Sequence, residues 1–121
     1  MQGVYLFSEG DQHLYIGRSN NLRQRYRQHS TPGSQHNQAV FAFKLARVAT
    51  GRIKPAYVSG NDSRKGLLEN AEFMEAFKQA KRRVRRMDYR FVEEADQTRQ
   101  ALLEIYCAVV LGCLYNDFDT H

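Results

Sequence analysis

Two short β-forming runs, Val4 to Phe7 and Leu14 to Arg18, stand on either side of the polar stretch Ser8 to Gln12. That spacing predicts a turn at Ser8 to Gln12 and a hairpin at the start of the chain. Only one further run, Tyr89 to Val92, has strand character. Three short strands cannot bury themselves, so helices must cover the sheet they form. Ser19 or Asn20 is placed to cap a helix reaching about His29, and Gln38 to Ala49 has helical composition up to Gly51. A long helix is expected from about Leu67 to Arg85, and a last one from about Asp96 to Leu111 with Gly112 near its end. Ser30 to Asn37, with Pro32 and Gly33, reads as a loop. Arg52 to Gly66, with Pro55 and Gly60, reads as another, with a short extended piece at Ala56 to Val58. The order β-β-α-α-α-β-α gives an α/β fold in which several helices flank one small three-stranded sheet.

Size and charge bound the rest. A chain of 121 residues is expected to form a single domain, 1–121. Eighteen Lys and Arg against thirteen Asp and Glu give a net charge of +5, which suits a polyanionic partner without requiring one. No basic stretch precedes an apolar run at the start, so no secretory leader is read. The longest apolar region, Ala101 to Tyr115, contains Glu104 and is too short to span a bilayer. A cytoplasmic protein with no membrane association is expected. Cys107 and Cys113 then read as two reduced core thiols rather than a metal site or a disulfide. No glycine-rich nucleotide-binding loop occurs, so no nucleotide cofactor is expected.

Several residues look chemical on their own. Glu104 is the only charged side chain from Ala101 to Leu111. A helix that apolar is expected to be largely buried, and a carboxylate within it needs a cation, hydrogen bonds or a raised pKa. A buried salt bridge to an arginine and a metal or acid–base role at the floor of a cleft are equally good readings. The first helix carries Arg23, Arg25, Arg27 and His29, with Arg25 and His29 one turn apart and Arg18 just ahead of them. Such a run is usually a solvated basic face, or it is a phosphate site. Tyr5 and Tyr15 sit on the two hairpin strands and can face the same side. Strand tyrosines are ordinary packing residues, so alone they signify little. Lys81, Arg82, Arg83, Arg85 and Arg86 fill five of six positions at the end of the long helix. Cations belong there in part because of the helix dipole, but five exceed that need and suggest contact with a nucleic-acid backbone.

Taken together, Gly3-Val4-Tyr5, Tyr15-Ile16-Gly17 and Asn21-Leu22-x-x-Arg25-x-x-x-His29 resemble the signature of the GIY-YIG nuclease superfamily. Glu104 stands where that family places a metal-binding glutamate, and Tyr115-Asn116 resembles its late asparagine position. The resemblance implies a three-stranded antiparallel sheet flanked by helices. It also implies metal-dependent hydrolysis of DNA phosphodiesters. In that reading Glu104 holds one Mg2+ or Mn2+, and Arg25 stabilises the transition state. Tyr5 or Tyr15 deprotonates or orients the attacking water. Its phenolate needs a nearby cation such as Arg18, because a free phenol has a pKa near 10. His29 orients a tyrosine or relays its proton, Asn116 completes the catalytic set, and Gly3 and Gly17 let backbone approach where a side chain would block the cleft.

Arg18 stands where some relatives carry lysine, and an arginine cannot serve as a proton relay. Gly17, Arg18, Arg23 and the cluster Lys81, Arg82, Arg83, Arg85 and Arg86 are the expected substrate contacts. With no room for a second DNA-binding domain, sequence preference would come from loops, a homo-oligomer or a protein partner. The expected substrate is DNA, either duplex or single-stranded. Two other readings remain open: a nucleic-acid-binding module without turnover, and a strand-transfer enzyme with a tyrosine nucleophile.

Overall fold

The computed structural model describes residues 1–35, 38–51 and 70–116. The expected loop Arg52 to Gly66 with its extended piece at Ala56 to Val58, the expected start of the next helix at Leu67, and the tail beyond Asn116 lie outside them. The described elements follow the expected order: β1 (Gly3–Glu9), β2 (Gln12–Ser19), α1 (Leu22–Ser30), α2 (Val40–Ala49), α3 (Ala71–Arg86), β3 (Asp88–Glu93) and α4 (Gln97–Leu111). They divide into two compact units, residues 1–28 with 86–121, and residues 29–85.

The first unit is built on the sheet, in the order β2-β1-β3, with both pairings antiparallel. The hairpin turn is tighter than the polar stretch suggests. Glu9 pairs with Gln12, so only Gly10 and Asp11 connect the strands. Gly10 takes φ 57°, which a side chain rarely adopts. A register shift after Phe7 inserts Leu14 as an extra residue, since Phe7 pairs with Tyr15 and Ser8 with His13. Serine and histidine therefore continue the ladder where sequence polarity suggests a turn.

The sheet has two unlike faces, as alternation demands. One carries Tyr5, Phe7, Tyr15, Tyr89 and Phe91, and the ring of Tyr26 from α1 packs on it, 6.1 Å from Phe7 and 4.7 Å from Tyr89. The other buries Val4 and Ile16 against Ala108 and Cys113, with Leu6, Leu103 and Cys107 around them. The two cysteines are free thiols. Asn21 caps α1, accepting from Gln24 N at 3.1 Å, so the helix starts after the residues that composition points to. Asp96 caps α4 by accepting from Arg99 N, and Gly112 ends it at φ 65°.

Helix α4 differs from expectation. It is buried along one stripe only, and Leu102, Ile105, Tyr106, Val109 and Val110 face outward. The reason is width: a sheet of three strands contacts one side of a helix, and a helix turns its other side away. Apolar composition alone cannot reveal which side has a partner.

The second unit holds an aromatic core of its own. Phe43 on α2 packs edge-to-face on Phe73 and Phe77 of α3, with ring centroids 5.1 and 5.7 Å away. Asn70 caps α3 by accepting from Phe73 N at 2.9 Å. The two faces of α4 make a direct prediction. Val109→Lys is expected to change the unfolding free energy by no more than about 0.5 kcal/mol, while the adjacent Ala108→Lys costs at least about 3 kcal/mol. Urea unfolding followed by circular dichroism distinguishes them.

Candidate active site

The site forms around Tyr5. Its cross-strand partner is Gly17, while Tyr15 lies diagonally on the same face, with ring centroids 6.4 Å apart. The Tyr5 ring lies over Gly17, where a Cβ would collide with its hydroxyl end. Gly17 is thus required by the ring above it rather than by an open cleft. Gly3 has another reason: a Cβ there would strike the Val92 carbonyl of β3. The expectation was that both glycines let backbone approach where a side chain would block the cleft; the close neighbours found are the Tyr5 ring and the Val92 carbonyl.

Arg25 on α1 reaches this face. Its Nε donates to the Tyr5 hydroxyl at 3.5 Å, a long contact, and Nη1 donates to Gln28 Oε1 at 3.0 Å. A guanidinium has five donors, so N–H groups remain beyond these two bonds for an anion. Glu104 enters from α4. Its side chain is 21% exposed, and its Oε1 lies 3.8 Å from Nε of Arg18. Glu104 is therefore half-buried at the edge of α4's packed stripe, not on the floor of a buried pocket, and the ion pair to an arginine is present. Arg18 also donates to the Gln97 carbonyl at 3.2 Å.

Electrostatics depart from expectation in one respect. Burial pushes both phenols above their usual pKa of 10, Tyr15 strongly. For Tyr5 the opposing influence is Arg25, first through its hydrogen bond and then through its charge, and not Arg18. The Glu104 charge pushes both phenols up as well. Arg18 instead acts on Glu104, whose carboxyl burial raises and Arg18 pulls back down. The cation that supports a phenolate is the one on α1, because β-strand alternation puts Arg18 on the opposite face from Tyr5 and Tyr15.

Asn116 holds β2 from outside. Its Nδ2 donates to the Ile16 carbonyl at 2.7 Å, its Oδ1 accepts from Ile16 N at 2.8 Å, and Tyr115 N donates to Leu14 O at 3.0 Å. The side-chain amide thus extends the free edge of the strand between Tyr15 and Gly17. It orients the site and does not point its amide into it.

The remaining expected residues fall in both units. His29 is fully buried and belongs to the second unit. So does Lys81, which is buried and donates to the carbonyls of Pro32 at 2.6 Å and Ser34 at 2.9 Å while lying over the Phe77 ring. Lys81 therefore braces the loop after α1, and only Arg82, Arg83, Arg85 and Arg86 of that cluster are exposed. Arg23 is exposed on α1. Tyr89 was missed by the sequence reading. Its ring lies 5.8 Å from Tyr5, and burial raises its pKa with the Tyr5 and Tyr26 hydroxyls adding to the shift. The signal was the alternation of Tyr89 and Phe91, which puts both on the face of Tyr5.

Among the described residues no three His, Cys, Asp or Glu side chains gather as a ready-made cation cage. Glu104 offers a single hard oxygen donor, partly open to solvent. That set fits a cation such as Mg2+, which keeps most of its water and takes one or two carboxylates plus phosphate oxygens.

Residues 1–71 match the family model of the GIY-YIG catalytic domain. That stretch contains Gly3, Tyr5, Tyr15, Gly17, Arg25 and His29, while Glu104 and Asn116 lie beyond it. No curated protein and no solved structure gives a match. No helix among the described residues is long and apolar enough to cross a membrane.

Two substitutions test how the site is held. Gly17→Ala is expected to displace the Tyr5 ring and lower stability by about 1–3 kcal/mol through overpacking. Asn116→Ala is expected to cost a similar amount, about 1–3 kcal/mol, by leaving Ile16 backbone groups unpaired. Thermal unfolding gives both values, and near-ultraviolet circular dichroism should report the tyrosine displacement in Gly17→Ala alone.

Proposed function

The chain belongs to the GIY-YIG nuclease superfamily, and from that premise we propose that it is a metal-dependent DNA endonuclease. The observation that carries the reading is the hydrogen bond from Arg25 to the Tyr5 hydroxyl on the sheet face that also bears Tyr15. Glu104 would hold one Mg2+ or Mn2+. The bound cation would supply Lewis-acid polarisation of the phosphate and neutralise charge there.

The chain's own residues do the rest. Arg25 presents its remaining donors to the phosphate oxygens and stabilises the extra negative charge of the transition state. Tyr5 takes the proton of the attacking water. Its phenolate is the better supported of the two, because Arg25 opposes the desolvation of Tyr5 by hydrogen bond and charge together. Tyr15 positions the water beside it. Arg18 pairs with Glu104 and opposes the desolvation that raises the pKa of its carboxyl. Arg23, Arg82, Arg83, Arg85 and Arg86 draw the polyanion by charge. His29 and Asn116 are positioning residues in this scheme: His29 by packing in the core, Asn116 by fixing β2. Specificity beyond this would come from the chain's own loops, a homo-oligomer or a protein partner.

The test is cleavage of labelled DNA by wild type and variants with Mg2+, Mn2+ or EDTA. Glu104→Ala is expected to abolish metal-dependent cleavage and leave DNA binding in EDTA intact. Arg25→Ala is expected to lower the rate about 10²–10³-fold. Wild-type protein that binds DNA but cleaves none of it, with either metal, overturns the proposal.

The pH dependence follows from the direction of the Tyr5 shift. A phenol whose pKa lies above 10 is almost wholly protonated at neutral pH, so its base form grows with pH. The cleavage rate is expected to rise about tenfold per pH unit from pH 7 to 9. In Tyr5→Phe it is expected to be low and nearly flat over that range. A Tyr5→Phe profile that keeps the wild-type slope shows that Tyr5 is not the base.

A further inference from the structure

A cavity of about 690 Å³ opens in the first unit between α1 and β3. Leu22, Arg23, Tyr26 and Arg27 line it from the helix, and Tyr89 and Phe91 from the strand. Its volume falls within the range of small-molecule sites, about 300–1,000 Å³. Its chemistry is specific. Tyr26 and Tyr89 are in ring contact at 4.7 Å, and Phe91 stands beside Tyr89 at 6.1 Å. Phe91 is 49% exposed, so its ring is accessible from the cavity. Arg23 and Arg27 lie one helical turn apart and are both exposed. Among the described residues no acidic side chain lines the cavity.

An apolar ligand would meet the rings and leave two guanidinium groups facing it. A bare anion would meet the arginines and leave the rings idle. A planar heterocycle attached to a phosphate satisfies both, by stacking on aromatic faces and by fork-like hydrogen bonds to phosphate oxygens. The location adds to this. Tyr89 lines the cavity, and its ring lies 5.8 Å from that of Tyr5. One aromatic wall is therefore shared with the phenol that handles water.

Resting on the nuclease reading above, we propose that this cavity is a subsite for one unpaired nucleotide next to the scissile phosphate. Its base stacks on Phe91 and Tyr26, and its phosphate is held by Arg23 and Arg27. A base within a duplex is paired and stacked on both sides, so it cannot enter such a site without leaving the helix. The substrate is accordingly a single strand, or a duplex from which a nucleotide is turned out.

The experiment is fluorescence anisotropy of the full chain in EDTA, with a labelled single-stranded DNA 12-mer and the same backbone made abasic. Wild type is expected to bind the intact strand about tenfold or more tightly than the abasic one, in line with base–aromatic stacking. Phe91→Ala is expected to erase most of that difference while keeping the wild-type circular dichroism. Arg23→Gln with Arg27→Gln is expected to weaken both strands together and to flatten the salt dependence of binding. Equal wild-type binding of the intact and abasic strands overturns the subsite, as does a difference that survives in Phe91→Ala. Because binding is read in EDTA, the subsite stands or falls separately from cleavage. Base-dependent binding that Phe91→Ala removes, in a protein that never cleaves with metal, supports the subsite and overturns only the nuclease reading.

Discussion

At Gly17 the absence of a Cβ lets the Tyr5 ring lie against the neighbouring strand, and the arrangement of the first unit follows from that contact. A ring lying over β2 brings its hydroxyl within reach of Arg25 on α1. It also leaves its other side to Phe7 and Tyr89, whose centroids are each 5.8 Å away. Any side chain at position 17 would lift the ring, and the arginine contact, the diagonal pairing with Tyr15 and the packing on Tyr89 would have to change together. Cores as dense as protein interiors do not absorb a methyl group without moving something.

The strand that bears this constraint is held along both edges. β1 pairs with one edge of β2, and the Asn116 side chain with Tyr115 N takes the other. Asn116 follows α4 in the chain, so the same segment closes the edge and delivers Glu104. That helix is fixed at its start by Asp96 and at its end by Gly112. Leu103 and Cys107 then anchor it to the sheet on either side of Glu104. Tyr5, Tyr15, Arg25 and Glu104 thus come from two strands and two helices and none from a loop. Groups on such elements keep their geometry better than groups on flexible connections.

What was legible in the sequence divides along physical lines. The element order and the common face of Tyr5 and Tyr15 were readable because periodicity is local. The start of α1 was off by a residue or two because Ser19, Asn20 and Asn21 all suit a cap, and only backbone geometry selects Asn21. The turn was drawn too wide because Ser8 and His13 are polar yet remain paired in the sheet. Glu104 was findable as a lone charge in an apolar helix, but the open face of that helix was not, since it depends on how wide the sheet is. Lys81 looked like part of a basic cluster because sequence counts charges and not the carbonyls that a lysine can reach. Tyr89 and Phe91 were hidden for the opposite reason: aromatic residues on a strand signify packing until a neighbour such as Tyr5 gives them another meaning.

Charge placement completes the logic of the site. Two of the site's acids face different cations: Tyr5 faces Arg25, and Glu104 faces Arg18. The pairs come from different elements, and alternation along β2 keeps Arg18 off the tyrosine face. Were Arg18 beside the phenols, it would lower their pKa but no longer oppose the desolvation that raises the pKa of Glu104. Dividing the cations sets Arg18 against the desolvation of Glu104 and Arg25 against that of Tyr5. Neither long contact, 3.5 Å at Tyr5 nor 3.8 Å at Glu104, is a tight bond. Loose pairs of this kind can yield to a phosphate and a cation at little cost, whereas tight buried ion pairs would have to be broken before either could bind.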